Sequence, residues 1–494
     1  MTCMPRVSPE NKTLTVSPKE RFNLSSYLSM QFMEPLGSTD GSVEAAWNFR
    51  KMCWRQDFVD VTKELMPTLI RWPGGCLSSY YRWNEAIGPR NKRKPMYNIL
   101  WGGMETNQIG THEFINLCRL IGADPLIAVN FESDGRKPWA SFRGQIRSAG
   151  PKEAAKWIDY CNNPSNNERE RNGAKQPFGV RLWQIGNETS YDANGYDCET
   201  AAHRTLAFAR TMRKADPNIK LIGWGDSGWA RRMLEIAGEE LDYIAFHHHF
   251  GSGLDDDPLQ WTNYRKDPAR TWECLINAYK STENKIKEMR IAIAGYDIKL
   301  ALTESHFSLL GRNRGEVLST WAAGVAEARI LNVHERNGDI LEVATLADFC
   351  GNRWMVNAIM LPTPPGKLKA YMMPVARVMA LRRKHIRKKS IGITACPKDL
   401  DVTASRTGDR IYLHVVNTNR LHSVPVQLRI EGRRIVSGVV CQIVADPELE
   451  IDEHSADIIS PSTHILPEDR KWEFPAASVS AVELLSKKKG EVVQ

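Results

Sequence analysis

Short apolar runs alternate with longer stretches of helical periodicity from about residue 20 to residue 365. Eight of the apolar runs read as buried strands: 23–31, 68–72, 125–130, 180–186, 219–224, 241–247, 298–303 and 341–347. Between several of them apolar positions recur with the helical period, as at 111–121, 199–215, 270–290 and 316–337. Eight strands with helices between them predict an α/β chain closed into a (β/α)₈ barrel. An open doubly wound sheet would call for a glycine-rich phosphate loop after an early strand, and the GxGxxG pattern is absent. The alternation stops at Pro362-Thr363-Pro364-Pro365-Gly366. After a last helical stretch at 369–381 the pattern turns to β, with runs at 410–416, 424–430 and 439–444 that predict a C-terminal β-sandwich. Lys12-Thr13-Leu14-Thr15-Val16 reads as one more strand for it. The expected division is therefore an N-terminal segment 1–20 adding to the sandwich, the barrel over 21–365 and the sandwich over 366–494.

Composition adds exclusions. A chain of 494 residues with 42% hydrophobic and 25% charged residues has ordinary globular proportions. The net charge of +8, from 66 basic and 58 acidic residues, owes much to Arg382-Arg383-Lys384-His385-Ile386-Arg387-Lys388-Lys389. That run reads as a solvated segment near a domain junction, not as a nucleic-acid face. The ten cysteines show neither CxxC pairs nor regular spacing, so they predict neither a zinc cluster nor a disulfide scaffold. No apolar stretch reaches the roughly 18 residues of a membrane span, so no membrane partner is expected. Met1-Thr2-Cys3-Met4-Pro5-Arg6 lacks a signal-peptide core, from which a cytoplasmic location is expected.

Candidate chemistry sits at two strand ends. Glu188 closes Val180-Arg181-Leu182-Trp183-Gln184-Ile185-Gly186-Asn187-Glu188, and Glu304 closes Ile298-Lys299-Leu300-Ala301-Leu302-Thr303-Glu304. In a barrel, such carboxylates face the mouth at the C-terminal ends of the strands. A facing pair is the equipment of a glycoside hydrolase; at about 5 Å separation the mechanism retains configuration, with Glu304 as nucleophile. Glu188 then protonates the leaving oxygen if its surroundings raise its pKa, and Asn187 bonds a sugar hydroxyl. The plainer alternative is that one glutamate pairs with a rim arginine. His247 and His249 share one face of a strand and His248 the other; two imidazoles without a third ligand make no metal site, and none is assigned.

Arg71-Trp72-Pro73-Gly74-Gly75-Cys76 forms a tight turn after a strand, where backbone and an aromatic ring approach a ligand. Taken with Trp83-Asn84-Glu85-Ala86-Ile87-Gly88-Pro89-Arg90, Asn107-Gln108-Ile109-Gly110-Thr111-His112-Glu113-Phe114 and Trp183-Gln184-Ile185-Gly186-Asn187-Glu188, it resembles glycoside hydrolase family 51, mostly α-L-arabinofuranosidases, over residues 25–358. The resemblance implies Glu188 as general acid/base, Glu304 as nucleophile, and Asn187, Glu34, Arg71 and His247 as residues that bind substrate or support the carboxylates. It also implies an oligo- or polysaccharide substrate, a homo-oligomer, and no cofactor.

Several positions depart from that family. Cys76 stands where Asn is usual, His249 where Tyr is usual, Asp348 where Gln is usual, and Ser305-His306 where Trp-Asn is usual. An unchanged carboxylate pair in an altered pocket leaves α-L-arabinofuranosidase as the leading activity. The alternatives are a galactofuranosidase, a β-xylosidase, an endoglucanase, or a carbohydrate-binding protein without turnover. Cys76 is read as a small hydrophobe that costs a hydrogen bond to the sugar. His249 is read as replacing the Tyr beside Glu304, with activity sensitive to pH near about 6 to 7.

Overall fold

The computed structural model describes residues 12–132, 137, 147–192, 195–309, 315–366 and 368–489. Eight parallel strands run in chain order around one sheet: Met30–Phe32, Leu69–Trp72, Asp124–Val129, Leu182–Ile185, Lys220–Trp224, Tyr243–Phe250, Lys299–Phe307 and Leu341–Ala344. Helices such as Thr111–Ile121, Cys198–Ala215 and Trp321–Arg336 lie between them in the chain. The (β/α)₈ architecture expected from the alternation is the one found. One apolar cluster draws Met30, Leu69, Leu126, Leu182, Ile222, Ala245, Ala301 and Val343 from all eight strands. Residues from every strand can meet this way only inside the barrel, where they fill its floor.

The floor fixes what lies above it. Side chains two apart on a strand share a face, so stepping up from Met30, Leu69, Leu182 and Ala245 brings Glu34, Arg71, Gln184, His247 and His249 to the barrel mouth. On the seventh strand the same step from Ala301 selects Thr303 and would turn Glu304 outward. A bulge prevents this: Phe246 pairs with Leu302, but His247 pairs with Glu304 and His249 with His306. One extra residue shifts the alternation, so Glu304 and His306 join the inward face beside the two histidines.

The first strand differs from its expected span. Thr13–Asn23 belongs to the other sheet, and Ser25 then caps a short turn at Ser26–Ser29, its hydroxyl accepting from the Tyr27 amide at 3.1 Å. The barrel strand begins only at Met30. The helical stretch 270–290 is two helices, Pro268–Asn277 and Tyr279–Ala292.

The second sheet has nine strands in the order Ser462–Ile465, Arg433–Ile443, Val479–Lys488, Arg410–Asn417, Leu400–Thr407, Lys389–Ala395, Thr13–Asn23, Val424–Ile430, Lys471–Phe474, with a further pairing between Val424–Ile430 and Arg433–Ile443. It folds over its own core of Leu14, Val16, Leu413, Val415, Leu428, Val440 and Val482. Helix Pro374–His385 packs on Trp321–Arg336 and on Gln56–Leu65, so the helical ring continues to His385.

The basic run at this junction is solvated only in part: Lys384 and Lys388 are exposed, but its first member is not. Arg382 is buried and donates to Asn332 Oδ1 at 3.0 Å and to Glu335 Oε2 at 2.5 Å. Thr403 and His414, from the sandwich, reach the same Glu335 oxygen at 2.7 and 2.9 Å. Arg387 lies over the Tyr412 ring at 4.1 Å. A buried guanidinium needs such partners, and here they tie the two sheets together. Among the described residues no helix is long and apolar enough to cross a membrane.

Candidate active site

Two turns deliver the site's backbone. At Gly75 an added Cβ would lie 2.7 Å from Glu34 Oε2 and 2.9 Å from Glu304 Oε1, so a side chain there would displace these carboxyls. Gly186 has φ +73°, and a Cβ there would strike Phe131 and Thr189 below 3.0 Å. The chain turns again at Glu188, a non-glycine residue held at φ +49°. Such left-handed residues cost of order 1–3 kcal/mol and recur at functional sites.

Arg71 is wholly buried and holds the centre. Its Nη1 donates to Glu304 Oε1 at 2.9 Å, its Nε to Gln184 Oε1 at 2.8 Å, and its Nη2 to Asn187 Oδ1. The rim-pairing alternative weighed for a single glutamate is thus realised in part, but with both carboxylates still facing one space. His247 Nδ1 lies 2.9 Å from Glu188 Oε1 and 3.5 Å from Glu304 Oε2, while its Nε2 lies 2.9 Å from Thr303 Oγ1. His249 Nε2 is 3.7 Å from Glu304 Oε2, and a third of its side chain reaches solvent. One donor atom from each of Glu188, His247, His249 and Glu304 lies within 4.8 Å of the other three. The fourth strand and the bulged seventh thus bring two carboxylates to the two histidines.

The electrostatics follow from these contacts. Burial alone would raise Glu304, but the charge of His247, the nearby His249, and Arg71 together hold it below the ordinary carboxylate range. Glu188 is also pushed up by burial, and by Glu304; the hydrogen bond and charge of His247, with Lys137, bring it down to about 2. The condition attached to Glu188, surroundings that raise its pKa, is supplied by burial and Glu304 but outweighed here by His247 and Lys137. Glu34 accepts from the Leu77 amide at 2.8 Å and from Trp101 Nε1 at 2.9 Å, yet burial and the Glu304 charge raise it to about 8. Burial opposes a charge on His249, but its close approach to Glu304 and the carboxylates Glu188, Glu304 and Asp348 raise it.

Cys76 is not merely a small hydrophobe. Its thiol, raised well above the usual range by burial, donates to Glu188 Oε2 at 3.5 Å. Asp348 comes near through His306, whose Nε2 lies 3.8 Å from Asp348 Oδ1. Burial raises the acid well above its ordinary value and lowers the imidazole to about 3, so burial disfavours an ion pair between them. Asp348 Oδ1 and Asn187 Nδ2 are buried without a hydrogen-bond partner among the described residues. His248 points away and stacks on Phe250, ring centroids 5.0 Å apart.

Sequence reasoning missed three contributors. Gln184 had a signal, a polar residue inside an apolar strand and in phase with the floor. His306, noted as a departure from the family, faces inward only because of the bulge. Trp101 and Lys137, whose Nζ lies 2.8 Å from Asp192 Oδ1 and 3.2 Å from the Glu188 carbonyl, come from loops and had none. A separate cleft of about 840 Å³, lined by residues including Arg82, Trp83, Glu153 and Arg204, contains neither Glu188 nor Glu304.

Residues 61–266 match the family model described as Alpha-L-arabinofuranosidase 1 domain. Glu34 precedes the matched stretch, and Glu304, His306 and Asp348 follow it. The chain is 33% identical over 181 residues to α-L-arabinofuranosidase C of Emericella nidulans, covering 35% of this chain and 33% of that one. It is 28% identical over 217 residues to the intracellular exo-α-(1→5)-L-arabinofuranosidase of Acetivibrio thermocellus, covering 41% of this chain and 40% of the relative. These matches span about a third to two fifths of the curated relatives' length. Among solved structures, the family 51 α-L-arabinofuranosidase of Bifidobacterium longum superposes with TM-score 0.78 at 20% identity, over 95% of this chain and 99% of that one. The family 51 arabinofuranosidase of Xanthomonas axonopodis gives 0.80 at 21%, over 96% and 99%. At such identities these two likenesses establish the fold.

Proposed function

We infer that this chain is a member of glycoside hydrolase family 51 and a retaining exo-acting glycosidase of α-L-arabinofuranosidase type. The observation that carries the reading is a carboxylate oxygen of Glu188 within 4.8 Å of one of Glu304, both turned into one buried space. That spacing suits double displacement and is too short for an attacking water between the two groups.

The chemistry runs in two steps. Glu304, kept ionised by Arg71 and the histidines, attacks the anomeric carbon as the glycosidic bond breaks. The leaving oxygen takes a proton from Glu188, whose carboxyl His247 Nδ1 orients from 2.9 Å. Glu188 then removes a proton from water, which attacks the same carbon and frees Glu304. The sugar leaves with its configuration retained, and no cofactor takes part. Asn187 Nδ2, without a partner among the described residues, is available to the sugar hydroxyl beside the reacting carbon.

A second reading concerns the sugar. Cys76 and His249 contact the two carboxylates, and Asp348 approaches through His306, so the pocket differs on both sides of the cleaved bond. These contacts favour a terminal sugar other than L-arabinofuranose, with galactofuranose, xylose and glucose as alternatives. We further propose a cytoplasmic location and a homo-oligomer, the first in keeping with the intracellular relative of A. thermocellus.

Initial rates on aryl α-L-arabinofuranoside, β-D-galactofuranoside, β-D-xyloside and β-D-glucoside, with Glu304→Ala as control, test the assignment. Turnover of the arabinofuranoside, lost in the control, supports the leading reading; turnover confined to another glycoside moves it to the second. Sugar binding with no turnover on any aryl or natural glycoside would overturn both.

A further inference from the structure

We propose that Glu188, His247, His249 and Glu304 form a binding site for one zinc ion, which occupies the space between the carboxylates and excludes a sugar from it. Zinc is held tetrahedrally by imidazole nitrogen and carboxylate oxygen at about 2.0–2.2 Å, which places neighbouring ligand atoms roughly 3.3–3.5 Å apart. The edges already present bracket that value: 2.9 Å from His247 Nδ1 to Glu188 Oε1, 3.5 Å from His247 Nδ1 to Glu304 Oε2, and 3.7 Å from His249 Nε2 to Glu304 Oε2. The four donor atoms lie within 4.8 Å of one another. Small rotamer adjustments close the longest edge.

Three further features fit an ion. The far nitrogen of His247 is held by Thr303 Oγ1 at 2.9 Å, the kind of outer contact that fixes a ligating imidazole with its other nitrogen toward the metal. Both carboxylates keep their cationic neighbours on the oxygen away from the histidines. Arg71 Nη1 bonds Glu304 Oε1, and Lys137 Nζ stands 3.9 Å from Glu188 Oε2, leaving Glu304 Oε2 and Glu188 Oε1 to the ion. The solvent-reaching edge of His249 provides the way in. Two imidazoles select zinc over magnesium or calcium, which prefer oxygen ligands. The inference does not rest on the hydrolase reading, because it concerns binding to the free protein.

The test is calorimetric titration of tag-free, metal-stripped protein with zinc chloride, repeated with magnesium chloride and on His249→Phe, His249→Gln and His248→Gln proteins. The expected result is one zinc per chain, weakened at least tenfold in both His249 variants, retained in His248→Gln, and no magnesium heat. Two His249 variants guard against one that misfolds, and the circular dichroism of each is compared with the parent. Absence of zinc binding, or binding unchanged by loss of His249, overturns the proposal. Where a glycoside is turned over, zinc at saturation must raise its apparent KM; turnover indifferent to bound zinc also overturns it. Zinc binding without hydrolysis of any glycoside would uphold the metal site while the hydrolase reading fell.

Discussion

Replacing Arg71 by Lys isolates geometry from charge. The guanidinium spans three acceptors, Glu304 Oε1, Gln184 Oε1 and Asn187 Oδ1, which arrive from two different strands and the turn after one of them. A lysine ammonium is one nitrogen on a flexible stem and cannot reach all three. If it keeps the ion pair with Glu304, two bonds from a charged donor are lost, each worth about 1.5–3 kcal/mol when buried. The lower end gives about 3 kcal/mol, a fall of roughly a hundredfold in kcat/KM at 1.36 kcal/mol per decade. The loss should fall mainly on kcat, because Glu304 and Asn187 are misplaced for the transition state more than for the bound sugar. The assay is steady-state hydrolysis of the preferred aryl glycoside, with the urea midpoint measured alongside to separate folding from catalysis. Activity within threefold of the parent, at an unchanged midpoint, would refute the argument that the three-pronged contact positions the nucleophile.

Three other outcomes follow from particular contacts. Glu188→Ala should slow glycosides with poor leaving groups by about 10²–10⁴-fold and barely affect formation of the glycosyl-enzyme from a dinitrophenyl glycoside; an equal loss on both would remove Glu188 from the proton-donor role. Glu335, lowered to about 2 because Arg382, His414 and Thr403 outweigh its burial, contributes stability that is full above its ordinary value of 4.5 and is lost as pH falls toward 2. The move from 4.5 to about 2 corresponds to about 3 kcal/mol, so Glu335→Gln should flatten the acid side of the stability curve, and parallel curves would be inconsistent with the contact. Glu34, raised to about 8 by burial and by Glu304, keeps its proton in the folded state while the unfolded chain loses it. Its contribution therefore declines between pH 4.5 and 8, by at most about 1.4 kcal/mol per pH unit, and levels off above. Urea midpoints at pH 5, 6, 7 and 8 should fall less steeply in Glu34→Gln, and identical slopes would contradict the raised value.

The sequence by itself determined the barrel, because burying a parallel strand on both faces demands a continuous apolar run and eight such runs with helices between them admit few other closures. It also determined that Glu188 and Glu304 end strands, since each follows directly on its apolar run. The tertiary structure alone decided which way Glu304 faces. Strict alternation from Ala301 turns it outward, and only pairing against the neighbouring strand reveals the bulge that brings it level with His247. The same pairing brings His306 inward and supplies two carboxylates to histidines that seemed on the sequence to lack partners. The environment of Glu188 was equally beyond the sequence, because burial and Glu304 push it up while His247, at 2.9 Å, and Lys137 push it down. Arg382 makes the same point at the domain junction. A run of basic residues looks solvated in one dimension, whereas Glu335, 47 residues away, buries and neutralises its first member. Periodicity records which faces are apolar, a local property of the chain; the charge a group carries depends on neighbours that arrive from distant strands, and those only folding assembles.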